Sequence, residues 1–396
     1  MDATTVRPDG LFPGLAEVEQ YAAAQQPDWA DHPDLPACRA RLSRTAPLVG
    51  TDQLATLTRS LARVAAGEAH LLQAGDCAED LRECEPPHVR AKLDTLEHLA
   101  DLLTIRTGTE VLRIGRIGGQ FGKPRSADTE IHGGRVLPVF RGHIVNGEAP
   151  TEEARRPDPR RMLLAHRAAA AVTEQVERRR AGLAAGPWTS HEALVIDYEA
   201  ALLRTDPRTG DAFLGSTHLP WIGERTRQED GAHVRMLARV VNPVGCKIGP
   251  TASPEAVVRL CALLDPERVP GRLVLITRMG RDAVTEHLPA VVRAVAAAGH
   301  RPVWVIDPMH GNTVRTGGGL KTRRLADIAA EAGRARKVLE SQGQHAGGLH
   351  LEVAADSVTE CLGGTVTTEE DLTRHHTTLC DPRLNPEQAA ELLEAW

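Results

Sequence analysis

From residue 70 onward the chain alternates between two periodicities. Short apolar runs that end on glycine or on a polar side chain recur eight times: HLLQAGD (70–76), VLRIGRIG (111–118), ALVIDYE (193–199), AFLGSTHL (212–219), PVGCKIG (243–249), RLVLITR (272–278), PVWVID (302–307) and GLHLEV (348–353). Their length and branched residues predict buried strands. Between several of them the period lengthens to that of an amphipathic helix, in SPEAVVRLCALL from Ser253, DAVTEHLPAVVRAVAAAG from Asp282 and LADIAAEAGRARKVLESQG from Leu325, the last two closed by glycine. Strands alternating with helices imply parallel pairing through right-handed crossovers. Eight such units over roughly 300 residues predict an α/β fold of the (β/α)8 TIM-barrel type, which typically takes about 250 residues plus insertions.

The excess length falls in two places. Residues 1–66 precede the first strand and form an N-terminal helical extension, amphipathic from Thr51 to Ala66, packed on a catalytic barrel of residues 67–396 within one domain. The connection after strand two, residues 119–192, is too long for a simple crossover. It is expected to hold a hairpin at GGRVLPVFRGHIVNG (133–147) and a helix at RRMLLAHRAAAAVTEQVERRRAGL (160–183).

Composition narrows the setting. A net charge of −6 with mixed signs gives no reason to expect nucleic acid or a membrane surface as partner. No run approaches 18 apolar residues, and the opening MDATTVRPDG lacks a basic start followed by an apolar stretch. The expected location is the cytoplasm, which also suits seven scattered cysteines, an odd number for a disulfide framework. Of 47 basic residues 42 are arginine and five lysine, so a lysine here marks a position where an ammonium is specifically required. Lys123, Lys247 and Lys321 stand in glycine-flanked segments.

In a closed barrel the side chains just past the C-terminal strand ends converge on one mouth. Two chemical groups fall there. One is cationic: Arg116, Lys123, Arg125, Arg225, Lys247 and Arg278, with Ser126 as a further donor. Taken singly, each arginine reads as ordinary surface charge, but six cations at strand ends imply a ligand with phosphate and other acidic groups. The other group is Cys77, His310, Glu352 and Asp381. A lone cysteine after a strand is more often a small buried hydrophobe, but beside a histidine and two carboxylates it completes a mixed S/N/O donor set. Such a set suits Mn²⁺, Co²⁺, Fe²⁺ or Zn²⁺. Asp307 would orient His310 from behind, and CDPRLN (380–385) would fold back over the mouth. A metal beside a phosphate pocket permits Lewis-acid activation of a carbonyl and equally permits phosphoryl transfer.

The segments LLQAGDCAE, GRIGGQFGKPRS, SHEALVIDYE, WIGERTRQ, NPVGCKIGP, TRMG, DPMHGNT, GGLHLE, VTECLGG and CDPRLN resemble, in order and spacing from about Trp29 to the C-terminus, those of the type II 3-deoxy-D-arabino-heptulosonate 7-phosphate (DAHP) synthases. The resemblance implies a metal-dependent, aldol-type condensation of phosphoenolpyruvate with erythrose 4-phosphate and water, giving DAHP and phosphate at the entrance to the shikimate pathway. It implies Cys77, His310, Glu352 and Asp381 as ligands of a divalent metal, foremost Mn²⁺. It assigns Lys123, Pro124, Arg125 and Ser126 to erythrose 4-phosphate, and Arg116, Arg225, Lys247 and Arg278 to phosphoenolpyruvate, with Glu224 orienting water. Cys77, Lys123, Glu224, Lys247 and His310 form the catalytic set. The general acid stays open between a metal-bound water, a Glu224-held water and a nearby lysine.

Two positions depart from the family pattern: RMGRD, which brings a basic Arg281 toward the pocket rim, and Ile306 in VIDPMH, where many members carry cysteine. The resemblance further implies a homo-oligomer, with association with a chorismate mutase as an option. Alternatives are the same chemistry on an amino analogue of erythrose 4-phosphate, and a non-catalytic barrel that binds a partner. Cys380, next to Asp381, is expected to pair with Cys77 once the metal is lost. Compactness resembles members that feed secondary-metabolite pathways, so the expected outcome of an inhibition assay is no loss of activity with micromolar tryptophan or phenylalanine.

Overall fold

The structure, a computed structural model, describes residues 18–396. Eight strands, β1 (Ala69–Gly75), β2 (Glu110–Arg116), β3 (Trp188–Glu192), β4 (Leu219–Ile222), β5 (Val244–Ile248), β6 (Leu273–Thr277), β7 (Val303–Ile306) and β8 (Ala346–Glu352), close into one barrel. Each pairs in parallel with the next, and β8 returns to β1 with Gly75 opposite Glu352. The expected TIM barrel is therefore the fold. The helices used below are α1 (Leu35–Ser43), α2 (Thr51–Ala65), α3 (Pro86–Thr107), α4 (Arg161–Arg180), α5 (Pro254–Leu264), α6 (Val284–Ala297), α7 (Leu325–Ser341) and α8 (Pro386–Glu394).

Strand alternation divides the core into two layers. Leu71, Leu112, Ile114, Trp188, Leu219, Val274, Ile276, Val303 and Val305 point into the barrel and meet Leu57, Leu61 and Val64 of α2, so the amphipathic segment beginning at Thr51 plugs the bottom. The opposite faces, including Leu72, Val244, Leu275, Trp304 and Leu351, pack outward against α3 and α5 to α8. Ser253 caps α5 as its spacing suggests, its Oγ accepting from Ala256 N at 3.2 Å. Ahead of the plug, Trp29 and Leu35, Cys38 and Leu42 of α1 pack against Tyr198 and Leu202 beyond β3. The first 17 residues of the expected extension, with its opening MDATTVRPDG, lie outside the described residues.

Two strands lie elsewhere than expected. Strand three is Trp188–Glu192, upstream of ALVIDYE, whose Ile196–Ala201 is a short helix. Strand four is Leu219–Ile222, whereas Ala212–Leu214 of AFLGSTHL pairs antiparallel with Leu203–Thr205 in a small excursion. For strand three the reason is buried polarity on both of its faces. In WTSHE, Thr189 Oγ1 bonds His218 Nδ1 at 2.8 Å, Ser190 Oγ donates to Gly115 O at 2.8 Å and His191 Nε2 meets Glu199 Oε1 at 2.8 Å. Polar residues satisfied in this way are buried without producing an apolar run.

The insertion after β2 contains a hairpin of Thr129–His132 and Arg135–Pro138 that turns at Gly133–Gly134, both at positive φ. Only the first part of 133–147 is strand; the rest is a loop in which Asn146 Nδ2 donates to Val139 O and Arg155 O at 2.9 and 3.0 Å. The helix expected at 160–183 is α4. Among the described residues no helix is long and apolar enough to cross a membrane.

Candidate active site

Above the apolar plug the inward-facing positions become polar, then charged. Gln73 of β1 donates to Ser190 Oγ at 3.0 Å and meets His350 Nδ1 at 2.7 Å, while Arg116 at the end of β2 reaches His350 Nε2. Buried Glu352, at the end of β8, is held by four partners. Its Oε1 accepts from Arg116 Nη2 and Lys123 Nζ, each at 3.0 Å, and lies 3.0 Å from His310 Nε2, while Oε2 accepts from Arg323 Nη1 at 2.7 Å. Burial alone would push this carboxyl up, but His310, Lys123 and Arg323 outweigh it and hold it well below the usual carboxylate range. Asp381, delivered by CDPRLN as that segment bonds back along β8 through Leu384 N to Glu352 O, pairs with Lys123 at 3.0 Å and Lys321 at 2.8 Å.

His310, Glu352 and Asp381 bring one potential ligand atom each within 4.8 Å of one another. The hydrogen bonding fits a cation there. Asp307 accepts from the backbone N of Met309 and His310 and lies 2.8 Å from His310 Nδ1, and burial lowers the His310 pKa against the pull of Asp307. The ring is thus held between two carboxylates, Nδ1 facing Asp307 and Nε2 facing Glu352 at 3.0 Å. The Lys123 ammonium bridges Glu352 and Asp381 beside it, so positive charge is already held among these donors. Cys77 stands at the edge of this group: its Sγ accepts from Asp381 N at 3.2 Å and meets Thr378 Oγ1 at 3.4 Å. Burial pushes the Cys77 thiol up, but a hydrogen bond from Cys380 and the charge of Lys123 bring it to about 7.

Beside the acids a cleft of about 480 Å³ is lined by Arg116, Lys123, Pro124, Glu224, Arg225, Lys247, Arg278, His310 and Asp381 among the residues expected from the sequence. Arg125 and Ser126 flank it: Arg125 reaches Glu130 at 3.5 Å and Cys380 Sγ at 3.5 Å, and Ser126 Oγ accepts from Arg225 Nη2 at 2.6 Å. Arg116 and Lys123 are matched by Glu352 and Asp381, and Lys247 pairs with Asp307. Burial lowers Lys247 to about 8 despite that partner. Among the described residues Arg225 and Arg278 have no carboxylate partner; Arg278 Nη2 donates instead to His310 O at 2.7 Å. Two guanidinium groups without a carboxylate partner thus face one cleft, an arrangement suited to an anion.

The cleft also contains residues not expected from the sequence: Gln120, Glu192 and Trp221. Glu192 Oε1 and Glu224 Oε2 are buried without a hydrogen-bond partner among the described residues, and burial raises the Glu192 pKa. Gly223 and Gly249 make room for these carboxyls, since a Cβ at either would collide with Glu192 or Glu224. Glu192 would have been found had WTSHE been taken as the strand, because it ends it. Arg323, two residues after Lys321, lies outside the expected set, yet its guanidinium reaches Glu352 at 2.7 Å. Arg281 does not alter the rim; its side chain turns to Asp327 of α7. A second group, Asp80, His143 and Glu148, is already bridged through both carboxylates by Arg82. Because Cys380 directly precedes Asp381, whose N donates to Cys77 Sγ at 3.2 Å, chelated protein treated with a mild two-electron oxidant is expected to lose two thiol hydrogens and form a Cys77–Cys380 disulfide, reversible by dithiol. Peptide mass spectrometry that finds both thiols free would contradict this.

Comparison with known proteins agrees with the geometry. The profile of the Class-II DAHP synthetase family matches residues 14–186 and 174–395. A "Probable phospho-2-dehydro-3-deoxyheptonate aldolase" of Pseudomonas fluorescens is 44% identical over 387 residues, 96% of each chain. The phospho-2-dehydro-3-deoxyheptonate aldolases of Streptomyces coelicolor and Mycolicibacterium smegmatis are 40% and 38% identical, over 93% of this chain and 93% and 91% of theirs. A solved phospho-2-dehydro-3-deoxyheptonate aldolase from Francisella tularensis SCHU S4 shares the fold, with a TM-score of 0.56 at 13% identity, covering 90% of this chain and 94% of that one. With a family match over nearly its whole length and relatives this similar, the chain belongs to the class-II DAHP synthetase family.

Proposed function

We propose that the protein is a 3-deoxy-7-phosphoheptulonate synthase that joins C3 of phosphoenolpyruvate to the aldehyde carbon of erythrose 4-phosphate, adds water at C2 and releases phosphate. The observation that carries this reading is the juxtaposition of two unpaired guanidinium groups, Arg225 and Arg278, with the His310–Glu352–Asp381 donors in one cleft. Arg116, Arg225, Lys247 and Arg278 hold the phosphate and carboxylate of phosphoenolpyruvate; Lys123 to Ser126 hold erythrose 4-phosphate. Two anions must be neutralised before they can meet, so fixed positive charge and orientation carry most of the rate. A divalent metal, Mn²⁺ first and Co²⁺, Fe²⁺ or Zn²⁺ as alternatives, held by His310, Glu352, Asp381 and Cys77, would supply polarisation of the aldehyde. Lys123, which now bridges two of those ligands, can then turn its ammonium to the acceptor oxygen. The water that adds at C2 is oriented by Glu224, whose Oε2 is free to accept.

Every residue of the expected ligand and cation sets is present at the mouth or its flank, which disfavours a non-catalytic barrel. Seven free cysteines suit the cytoplasm, and the exposed cross-strand pair Ile131 and Val136 offers a surface for the homo-oligomer, or for a chorismate mutase partner.

An assay of metal-supplemented protein should show phosphoenolpyruvate consumed and phosphate released only when erythrose 4-phosphate is present. His310→Ala and Glu352→Gln should each lower turnover at least about a hundredfold; full activity without metal, or preference for the amino analogue, would contradict the reading. Because Lys247 binds anions only as an ammonium, and loses that proton near pH 8, kcat/KM for phosphoenolpyruvate should fall as pH rises through about 8, approaching one decade per unit. Lys247→Arg, which stays charged, should remove that limb whatever its absolute activity.

A further inference from the structure

The β6 and β7 loops each deliver one residue to the cleft, Arg278 and His310, and their relative position is held from outside it. Glu331 lies on α7, is 1% exposed and touches neither the cleft nor its ligands. Its Oε1 accepts from the backbone N of Met279 and of Gly280, both at 2.8 Å, and its Oε2 accepts from Asn312 Nδ2 at 2.6 Å. Asn312 passes the connection on in both directions, donating to Pro308 O at 2.8 Å and accepting from Arg281 N at 3.1 Å. Under this carboxylate the two loops touch backbone to backbone. Gly280 is at φ +86°, and a Cβ on Gly311 would collide with it. Across the same seam Arg278 Nη2 donates to His310 O at 2.7 Å.

We infer that Glu331 is a positioning residue, a buried clamp that joins the β6 loop to the β7 loop and so sets the guanidinium of Arg278 against the imidazole of His310. Of the neighbouring buried positions of α7, Ile328, Ala332 and Ala335 are apolar and Asp327 is paired with Arg281, and a buried carboxylate here is costly unless its lone pairs are filled. Here three donors from two loops fill them, and removing the carboxylate would leave all three unsatisfied in the interior. Helix packing alone could be served by an apolar side chain. What the acid adds is a direct link between the two loops: the bonds that Asp327 and Arg334 of α7 make to Arg281 reach the β6 loop alone.

The inference rests on the proposed function, and its test separates the two. Mn²⁺ affinity reports the His310 side, phosphoenolpyruvate affinity by calorimetry the Arg278 side, and thermal unfolding the packing. Glu331→Gln keeps one oxygen for the two amides but turns an NH2 toward Asn312. Its Mn²⁺ affinity should fall about tenfold, with phosphoenolpyruvate affinity within about twofold of wild type. Glu331→Ala should weaken both by about 10–100-fold. Ile328→Ala, a cavity in the same helix face, should lower the unfolding temperature and move neither affinity. Glu331→Gln with wild-type Mn²⁺ affinity overturns the inference, as does folded Glu331→Ala that binds both ligands like Ile328→Ala. Should Glu331→Ala fail to fold, Glu331→Gln decides. A wild-type protein that binds neither ligand would instead overturn the proposed function.

Discussion

The structure turns on one buried negative charge. Glu352 closes the last strand with no exposure to water and would be untenable alone, since an unpaired carboxylate in the interior is pushed toward its neutral form. Arg116 from β2, Lys123 from the following loop, Arg323 from the segment before α7 and His310 from the β7 loop all reach it. Four separate stretches of chain are thereby ordered around one side chain. Three of the four, Arg116, Lys123 and His310, also line the cleft, so satisfying Glu352 helps to assemble the site. Its partners are mostly cations, which leaves the cleft positive and suited to anions.

Charge is distributed unevenly by design of the strand ends. The buried cations Arg116, Lys123 and Lys247 are matched by acids; the less buried Arg225 and Arg278 are matched by neutral acceptors, Ser126 Oγ and His310 O. Matched cations hold the architecture, and unmatched ones remain available to a ligand. Lys247 lies between these cases: buried and paired with Asp307, it keeps its proton less firmly than an exposed lysine. The orphan oxygens of Glu192 and Glu224 place acceptors against this positive field, where a water can be both held and aimed.

How much was legible in the chain varies with how the residues announce themselves. Six of eight strands were, because apolar runs such as RLVLITR and PVWVID admit little else. Strand three was not, because WTSHE buries hydroxyl and imidazole groups satisfied by Gly115 O, His218 and Glu199; strand four, LPWI, lies just past an apolar run, Ala212–Leu214, that pairs outside the barrel. The same effect hid Glu192, which stands at the end of the strand that polarity concealed. Arg281 erred in the other direction. Sequence adjacency put it beside Arg278, but the turn at Gly280 sends it to Asp327.

The sequence by itself determined the barrel, the cationic and donor residue types at the strand ends, and the resemblance to a family, since each is carried by local period, by spacing or by short motifs. Only the tertiary structure decided which cations are neutralised, that Cys77 meets the backbone of Asp381 and the thiol of Cys380, and that an acid on a peripheral helix ties two site loops together. The physical reason is range. Periodicity and turn chemistry act over a few residues, whereas pairing of buried charge joins Glu352 to Arg323, 29 residues away, and to Arg116, 236 residues away, and exists only once the barrel has closed.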